Sequence, residues 1–573
     1  MRAHSVLAMA AIVATAAPAA AQPYPDVQRQ SLYAPVRDGT KLAVNIYRPA
    51  RGTVAVTERL PVIFVFTPYR ARYTDAAGKV VETALEDRLA LRSLIRAGYV
   101  VAVADIRGKG ASFGHRRGFQ DRTEALDGRD LVEWLARQDF ATGKVGMLGC
   151  SYLGGTTFHV ATTAPPALKA VFVGASDLDK YGFVRRGGIP AQFNTRPDEP
   201  LSEDLASLPV DGDADGAMLR AAVAQHADNT PMAPLWYGMP FRDSVSPFTG
   251  NAFWQEAGVY RYLQQVRQAG IATYFWGNWE DEPTAQSILS AASLPGSRFL
   301  AGPGSHCVPP KDFDFTGEVQ RYFDFHLKGA ANGFDRQLPV TYWLEGRDGS
   351  GSYVRSARLP GAARKWQQWF LGQGRSGTAR SVNDGSLARR ARGAGSDLFS
   401  VRYDLPSAEY FAFWAQPMDD KGLSYTTPAL AQDLRLVGFP VARLKVSADR
   451  SDANVFVYLD QVDPAGKASV VAFGRLALSH RAVSPAPYAT LGLPWHSGLQ
   501  ADVAPAVPGQ AVDLAIDMTP VARIVPAGSR LRLTIAGVDP RQRNLAEIRQ
   551  DPPTKITVHW GRGSGSRLDL PVE

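Results

Sequence analysis

Continuous apolar runs alternate with helical patterns in the first half of the chain. Residues 60–67 and 99–105 are apolar almost throughout, as expected for strands buried on both faces of a sheet. Residues 86–96 and 123–137 carry apolar side chains at helical spacing. Residues 41–48 alternate polar and apolar positions, which predicts an edge-like strand. Strands that alternate with helices predict an α/β fold with a mostly parallel, doubly wound sheet.

This alternation breaks at residues 179–262, which are rich in Pro, Asp and Trp and carry short helical patterns. Because the segment lies between two predicted sheet strands, we interpret it as a helical cap over the carboxyl ends of the strands. Short alternating runs at 345–573 predict a C-terminal all-β domain, a sandwich or jelly roll. The α/β core would then comprise residues 22–178 and 263–344.

Residues 1–21 have the pattern of a secretory signal peptide. Arg2 precedes a small, apolar stretch at 6–17, and Ala19-Ala20-Ala21 forms an A-x-A cleavage site. No later stretch is long and apolar enough to span a bilayer. We therefore expect an exported protein, periplasmic or secreted, that leaves the membrane after signal cleavage.

Composition narrows the classes of function. The chain has 573 residues, of which 45% are hydrophobic and 21% charged, as in soluble proteins of two or three domains. A formal net charge of +8 without a Lys/Arg block argues against a nucleic-acid partner. Residues 211–216 resemble the start of a calcium loop, but Ala222 stands where the bidentate Glu should be, so a helix-capping turn is the favoured interpretation and no metal is expected.

A glycine-flanked serine ends one apolar run and begins a helical stretch. Gly149-Cys150-Ser151-Tyr152-Leu153-Gly154 has the glycine spacing of a nucleophile elbow, in a G-x-S-x-x-G variant. An ordinary tight turn is the alternative. A serine hydroxyl becomes a good nucleophile when a base accepts its proton and backbone donors receive the oxyanion. The backbone N–H of Tyr152 is the first candidate donor.

His306 is the candidate base, since it lies on the loop that leaves a late predicted strand. The candidate acids Glu280, Asp281 and Glu282 follow the strand predicted before it, and spacing does not choose among them. Tyr69 follows the strand at 60–67, and its phenol can donate to an oxyanion. From the residues alone, a structural role for Tyr69 is the favoured alternative.

Five motifs together give the chain a resemblance to the cocaine esterase-like (CocE/NonD) hydrolases, which are related to X-Pro dipeptidyl peptidases and α-amino acid ester hydrolases. The matching pieces are Pro68-Tyr69, Asp105-Ile106-Arg107-Gly108 with Ser112 and Gly114, Gly146-Met147-Leu148-Gly149 leading into Ser151-Tyr152-Leu153-Gly154, Asn278-Trp279-Glu280-Asp281, and Gly302-Pro303-Gly304-Ser305-His306.

The resemblance implies an α/β-hydrolase core, a helical cap and a C-terminal jelly roll. It also implies a triad of Ser151, Asp281 and His306, with Tyr69 donating to the oxyanion. The sequence departs from the family where Asn278-Trp279-Glu280 replaces Gly-Trp-Tyr or Gly-Trp-Phe, and where Gly304 replaces a tryptophan. Asp281 is preferred over Glu280 because Thr284-Ala285 then falls in the family's frame.

Residues near these motifs are candidates for substrate binding or cross-linking. Asp177, Asp179 and Glu282, with Trp279 nearby, could form an anionic patch for an α-ammonium group, although solvated acids are the favoured interpretation. Cys150 and Cys307 directly neighbour Ser151 and His306. We expect buried free thiols, with a disulfide as the alternative.

These observations predict an exported serine hydrolase that cleaves acyl esters, with amides as a second class, through an acyl-enzyme. X-Pro dipeptidyl peptidase or α-amino acid ester hydrolase activity is the alternative, and a non-catalytic carbohydrate-binding protein is a remote one. The predicted partner is a small ester, amide or short peptide. No cofactor is expected, and the chain could form a homo-oligomer.

Overall fold

The structure is a computed structural model that describes residues 24–86, 88–191, 198–362, 365–406, 408–542 and 548–573. The predicted signal peptide at 1–21 lies outside these ranges. Among the helices within them, none has both the length and the apolar character needed to cross a membrane.

Strands of the amino-terminal part form one large sheet and one hairpin. In chain order they are β1 (Asp26–Pro35), β2 (Lys41–Arg51), β3 (Val54–Ala55), β4 (Leu60–Thr67), β5 (Arg72–Thr74), β6 (Val80–Glu82), β7 (Val100–Asp105), β8 (Ala141–Cys150), β9 (Leu168–Gly174), β10 (Ala272–Asn278), β11 (Arg298–Gly302), β12 (Val340–Glu345) and β13 (Gly351–Ser356).

The α-helices that lie wholly within the described residues all precede residue 324. They are α1 (Leu91–Arg96), α2 (Arg122–Ala136), α3 (Tyr152–Ala161), α4 (Lys180–Val184), α5 (Leu201–Leu205), α6 (Ala217–Gln225), α7 (Met232–Tyr237), α8 (Phe253–Glu256), α9 (Leu263–Gln268), α10 (Thr284–Ser293) and α11 (Phe315–Phe323). A π-helical turn, Asp324–Lys328, continues α11.

The central sheet runs in the order β1, β2, β7, β4, β8, β9, β10, β11, β12, β13. In this order, each strand from β7 to β12 is parallel to the next. The pairs β1–β2, β2–β7 and β12–β13 are antiparallel. Successive residues of β4 enter different hydrophobic clusters, since Phe64 packs with α2 and α3 on one face and Val65 packs with α1 and α11 on the other. Helices therefore cover both faces, and the predicted α/β fold is confirmed.

The prediction of an edge-like strand at 41–48 was wrong. β2 pairs with β1 on one side and β7 on the other, so Leu42 to Ile46 are buried. The half-exposed strand β1 occupies the edge instead. The helix predicted at 86–96 is also shorter, because Ala90 has a φ of 60° and α1 begins after it.

Among the described residues between β9 and β10, the short helices α4 to α8 lie where the cap was predicted, at 179–262, and α9 begins just after it at Leu263. Trp236, Phe253 and Trp254 lie in a small apolar cluster of their own within this insertion.

In the stretch that resembles a calcium loop, the Asp213 carboxylate instead accepts hydrogen bonds from the backbone N–H groups of Met218 and Leu219 at the start of α6.

The C-terminal part is built from strands. They are β14 (Lys365–Gly372), β15 (Gly385–Ala388), β16 (Ala394–Ser400), β17 (Leu423–Thr426), β18 (Leu434–Gly438), β19 (Val441–Ala448), β20 (Asn454–Val462), β21 (Ala468–Ala477), β22 (Val512–Asp517), β23 (Val521–Val525), β24 (Arg530–Ala536), β25 (Lys555–Gly561) and β26 (Arg567–Val572).

These strands pair antiparallel with one another, apart from β15 with β17, and β23 also pairs in parallel with β12. They enclose a hydrophobic core separate from that of the α/β sheet. A long segment between β16 and β17 leaves this domain and carries Phe411 and Phe413 to the α/β core, where Phe413 contacts His306. The C-terminal domain thus contributes side chains to the region where the candidate site was predicted.

Candidate active site

Ser151 lies at the sharp turn between β8 and α3, with a φ of 62° and a ψ of −130°. A non-glycine residue rarely adopts a positive φ, so this backbone is strained. The turn needs small neighbours, because a Cβ on Gly149 would collide with Leu153 and a Cβ on Gly154 would collide with the carbonyl oxygen of Gly174. The predicted elbow geometry is therefore present.

His306 contacts Asp281 at the carboxyl edge of the sheet. Its Nδ1 lies 2.9 Å and 3.0 Å from the two carboxylate oxygens of Asp281. The Asp281 side chain is fully buried, and that burial raises the pKa of its carboxyl while the neighbouring His306 opposes the rise. With Nδ1 directed at Asp281, Nε2 is the ring nitrogen left for the cavity that His306 lines.

Of the three acids that spacing left open, Asp281 is the one that contacts His306. Glu280 is exposed to solvent. The Glu282 carboxylate lies 3.0 Å from Arg475 and 3.6 Å from Arg541 of the C-terminal domain, and 3.5 Å from Arg186 of the cap.

The loop that carries His306 is held by Asn278, a residue whose role the sequence did not suggest. The Nδ2 of Asn278 donates to the carbonyl oxygens of Ser305 and Val308, at 2.7 Å and 2.8 Å. Asn278 is buried at the end of β10, so it anchors this loop to the sheet. A glycine at this position could not make these two hydrogen bonds.

A cavity of about 440 Å³ joins these elements. Ser151, Tyr152, His306, Tyr69 and Asp177 line it from the core, the cap adds Trp236 and His226 among others, and Phe411 and Phe413 close it from the C-terminal domain. The rings of His306 and Phe413 are 4.2 Å apart.

Both residues predicted to donate to the oxyanion, Tyr69 and Tyr152, line this cavity. Tyr152 is the first residue of α3, so its backbone N–H has no acceptor within the helix. Tyr69 is 47% exposed, and its ring packs edge-to-face on that of Tyr152 at 6.2 Å.

Behind the elbow, the Tyr152 side chain is anchored to a buried acid. The Tyr152 hydroxyl donates to Glu124 Oε2 at 2.7 Å, and the amide of Gln120 donates to the Tyr152 carbonyl at 2.8 Å. Burial raises the pKa of the Glu124 carboxyl to about 8. The acid is therefore mainly protonated at neutral pH.

Cys150 and Cys307 form a disulfide, so the expectation of free thiols was wrong. Cys150 ends β8, and Cys307 follows His306 with a φ of 57°. The two Cα atoms lie 5.8 Å apart. That separation is within the range of disulfides.

The four predicted substrate-binding residues do not form one patch. Asp177 lines the cavity, with its carboxylate 2.8 Å from Lys180 Nζ. Asp179 is buried against Arg242 and caps α4, and Trp279 donates its indole N–H to the Trp343 carbonyl. Asp179, Glu282 and Trp279 are thus absent from the lining of the cavity that contains Ser151.

Two family models match successive parts of the chain. Residues 38–308 match the family described as X-Pro dipeptidyl-peptidase (S15 family), and residues 332–562 match the X-Pro dipeptidyl-peptidase C-terminal non-catalytic domain. A chain from Mycobacterium bovis named as a serine esterase is 29% identical over 96% of both proteins. The cocaine esterase of a Rhodococcus species is 23% identical, over 88% of this chain and 89% of its own.

Solved structures share the fold at low identity. A CocE/NonD family hydrolase from Staphylococcus aureus superposes with a TM-score of 0.72 at 18% identity, covering 95% of this chain and 93% of its own. An α-amino acid ester hydrolase superposes with a TM-score of 0.69 at 18% identity, covering 98% and 99%. The chain is therefore a serine hydrolase with a segment of the X-Pro dipeptidyl-peptidase S15 family followed by that family's C-terminal domain, and it is similar to cocaine esterase and CocE/NonD hydrolases.

Proposed function

We propose that this serine hydrolase cleaves acyl esters by nucleophilic attack of Ser151, with His306 as base and Asp281 as the acid that orients it. The observation that carries the proposal is the contact between His306 Nδ1 and both oxygens of the buried Asp281, beside a cavity that Ser151 also lines. That contact fixes the imidazole tautomer in which Nε2 can accept a proton.

In the proposed reaction, His306 Nε2 accepts the Ser151 proton as Oγ attacks the ester carbonyl carbon. The Tyr152 backbone N–H and the Tyr69 hydroxyl stabilise the resulting oxyanion. His306 then donates its proton to the departing alcohol, which leaves an acyl group on Ser151. Water, deprotonated by His306, attacks the acyl-enzyme, and His306 returns that proton to Ser151 Oγ as the acid is released.

The three acids predicted to bind a free amino terminus are all paired with cations, so we favour esters over peptides as substrates. A dipeptidyl peptidase or α-amino acid ester hydrolase needs a carboxylate that is available to an ammonium group. Asp179 and Glu282 are held by arginines away from the cavity, and Asp177 is paired with Lys180. Amides remain the second class of substrate, since the same attack applies to them.

The test compares kcat/KM on a p-nitrophenyl ester and on Ala-Pro-p-nitroanilide, with Ser151→Ala as the blank. Efficient turnover of the ester with a silent anilide supports the proposal. Anilide turnover equal to or better than that of the ester would instead support a dipeptidyl peptidase. If neither substrate is hydrolysed above the blank, the non-catalytic alternative gains support.

We also propose that the protein is exported and works in the periplasm or outside the cell. The disulfide between Cys150 and Cys307 supports an oxidising compartment, where such bonds persist. The segment at 1–21 has the pattern of a signal peptide. Amino-terminal sequencing of the protein from a non-cytoplasmic fraction should begin at Gln22; intact protein confined to the cytoplasm would contradict export.

A further inference from the structure

Arg116 lies on the loop between β7 and α2, and the cap fixes its backbone. Its N–H donates to Oδ1 of Asn229 at 2.5 Å, and its carbonyl accepts from the N–H of Thr230 at 2.9 Å. The side chain lines the same cavity as Ser151. Arg116 is therefore held in place at the substrate cavity by its main chain.

The guanidinium of Arg116 has no partner in the described chain. Its Nε is buried without a hydrogen bond, and no carboxylate of the described residues lies within ion-pair distance of it. A buried donor without an acceptor is unfavourable, so such groups in native proteins usually have a partner from water or a ligand.

The other charged groups that line the cavity are engaged. Lys109 lies 2.9 Å from Glu199 and 3.1 Å from Asp204, and Asp204 also contacts His226 at 2.9 Å. Asp177 is paired with Lys180.

Asp198 lies in the exposed rim and accepts hydrogen bonds from the backbone N–H of Met232. Among the described residues at this cavity, Arg116 is consequently the cation without an ion pair.

Arg116 also interacts electrostatically with Tyr152, the residue after Ser151, and with Glu124. Its positive charge lowers the pKa of both the Tyr152 phenol and the Glu124 carboxyl, against the dominant effect of their burial. Because burial keeps Glu124 mainly protonated at neutral pH, that acid does not neutralise Arg116. The charge of Arg116 therefore acts on the cavity that Arg116 and Ser151 both line.

We propose that Arg116 forms a subsite for a carboxylate carried by the substrate, so that the preferred ester is anionic. The proposal rests on the function proposed above and names its substrate class. A guanidinium binds a carboxylate through two parallel N–H···O bonds, which supplies orientation as well as affinity. Phe119 and Trp236, whose rings meet edge-to-face at 5.1 Å, line the cavity with it and offer an apolar wall to the rest of the substrate.

Two matched ester pairs locate the carboxylate. Mono-p-nitrophenyl adipate and its terminal amide differ in charge on the acyl side, whereas 4-acetoxybenzoate and 4-acetoxybenzamide differ on the alcohol side. The wild-type protein should favour the charged member of at least one pair in kcat/KM by about tenfold or more at low salt, and less as ionic strength rises. Equal or lower kcat/KM for both charged members would overturn the subsite.

Substitutions show whether the preference for charged esters comes from Arg116 or from the overall charge of the protein. Arg116→Gln should reduce the charged-to-neutral ratio by about tenfold or more, and Arg116→Lys should restore it in part, because lysine keeps the charge but not the two parallel donors. Arg117→Gln is the matched control, since Arg117 is the next residue but pairs with Glu256 and Asp121 and does not line the cavity. Its ratio should equal that of the wild type. An unchanged ratio in Arg116→Gln would contradict the proposal.

A binding measurement keeps this inference distinct from the proposed reaction. Calorimetric titration of the Ser151→Ala protein with benzoate and with benzamide should show tighter binding of benzoate, and the preference should vanish in Ser151→Ala/Arg116→Gln. If benzoate binds in this way while no ester is hydrolysed, the proposed function fails and the subsite stands. If esters are hydrolysed without any preference for the charged members, the subsite fails alone.

Discussion

The disulfide between Cys150 and Cys307 joins the residue before Ser151 to the residue after His306, across 157 positions of sequence. It therefore ties the elbow directly to the loop of the proposed base. Asn278 holds the same loop through its amide, and Arg88 donates to the Cys307 carbonyl at 3.0 Å. All three contacts therefore hold the loop that carries His306.

Breaking this disulfide should lower kcat more than it changes KM. A displacement of about 1 Å between reacting groups can cost about 100-fold in rate, so we expect a loss of about tenfold or more on full reduction. The measurement is kcat and KM against the number of free thiols during titration with dithiothreitol. Cys150→Ala/Cys307→Ala serves as the control that the reductant itself should not affect. Full activity with two free thiols would contradict a positioning role.

Tyr69→Phe should lower kcat by about 100- to 1000-fold if its hydroxyl donates to the oxyanion. The ring and its contact with Tyr152 remain in this variant, so packing changes little. Tyr353→Phe removes a hydroxyl that donates to the Lys311 carbonyl away from the cavity and should behave as wild type. Normal turnover of Tyr69→Phe would remove it from the mechanism.

Asp281→Asn should reduce kcat by about 1000- to 10000-fold, because an amide in contact with Nδ1 favours the wrong imidazole tautomer. Glu280→Gln should retain nearly full activity, since Glu280 is exposed and Asp281 is the residue in contact with His306. Steady-state kinetics on one p-nitrophenyl ester compares the two variants. The reverse order of effects would make Glu280 the acid.

Glu124 should make the free energy of unfolding fall as the pH rises. Its pKa is about 8 in the folded protein against an ordinary value of 4.5, so between these values the folded state holds a proton that the unfolded chain has released. The stabilisation is fully present below about pH 4.5 and is lost toward pH 8, by up to about 1.4 kcal/mol per pH unit.

Glu124→Gln isolates this effect, because glutamine imitates the protonated acid and its carbonyl can still accept from the Tyr152 hydroxyl. Urea unfolding of both proteins at pH 5 and pH 8 gives the comparison. We expect the wild type to lose stability relative to Glu124→Gln between these two pH values. A constant difference would show that the pKa is not raised.

Much of the fold was predictable because its pattern is local. Strands buried on both faces, such as β4 and β7, have continuous apolar sequences that need no knowledge of their neighbours. The elbow was predictable as well, since its glycines are required by close backbone contacts within a few residues and with the adjoining strand. The position of β1 at the sheet edge, where β2 was predicted, was missed because strand order is a non-local property.

Contacts between distant segments explain the remaining differences at the candidate site. The sequence gives no direction for the side chains of Cys150 and Cys307, so it could not decide whether they pair. Phe413 reaches His306 from a connection in the C-terminal domain, and Glu282 is held by arginines of that domain and the cap. These contacts depend on how the domains pack, which local patterns do not encode.

The central claim is that Ser151 is the nucleophile activated by His306, and covalent labelling tests it most directly. Intact-mass analysis after treatment with a fluorophosphonate should show one adduct, which peptide mapping places on Ser151. The adduct should be absent from Ser151→Ala and should form far more slowly in His306→Asn. A folded wild-type protein that stays unlabelled, or an adduct that persists in Ser151→Ala, would contradict the account.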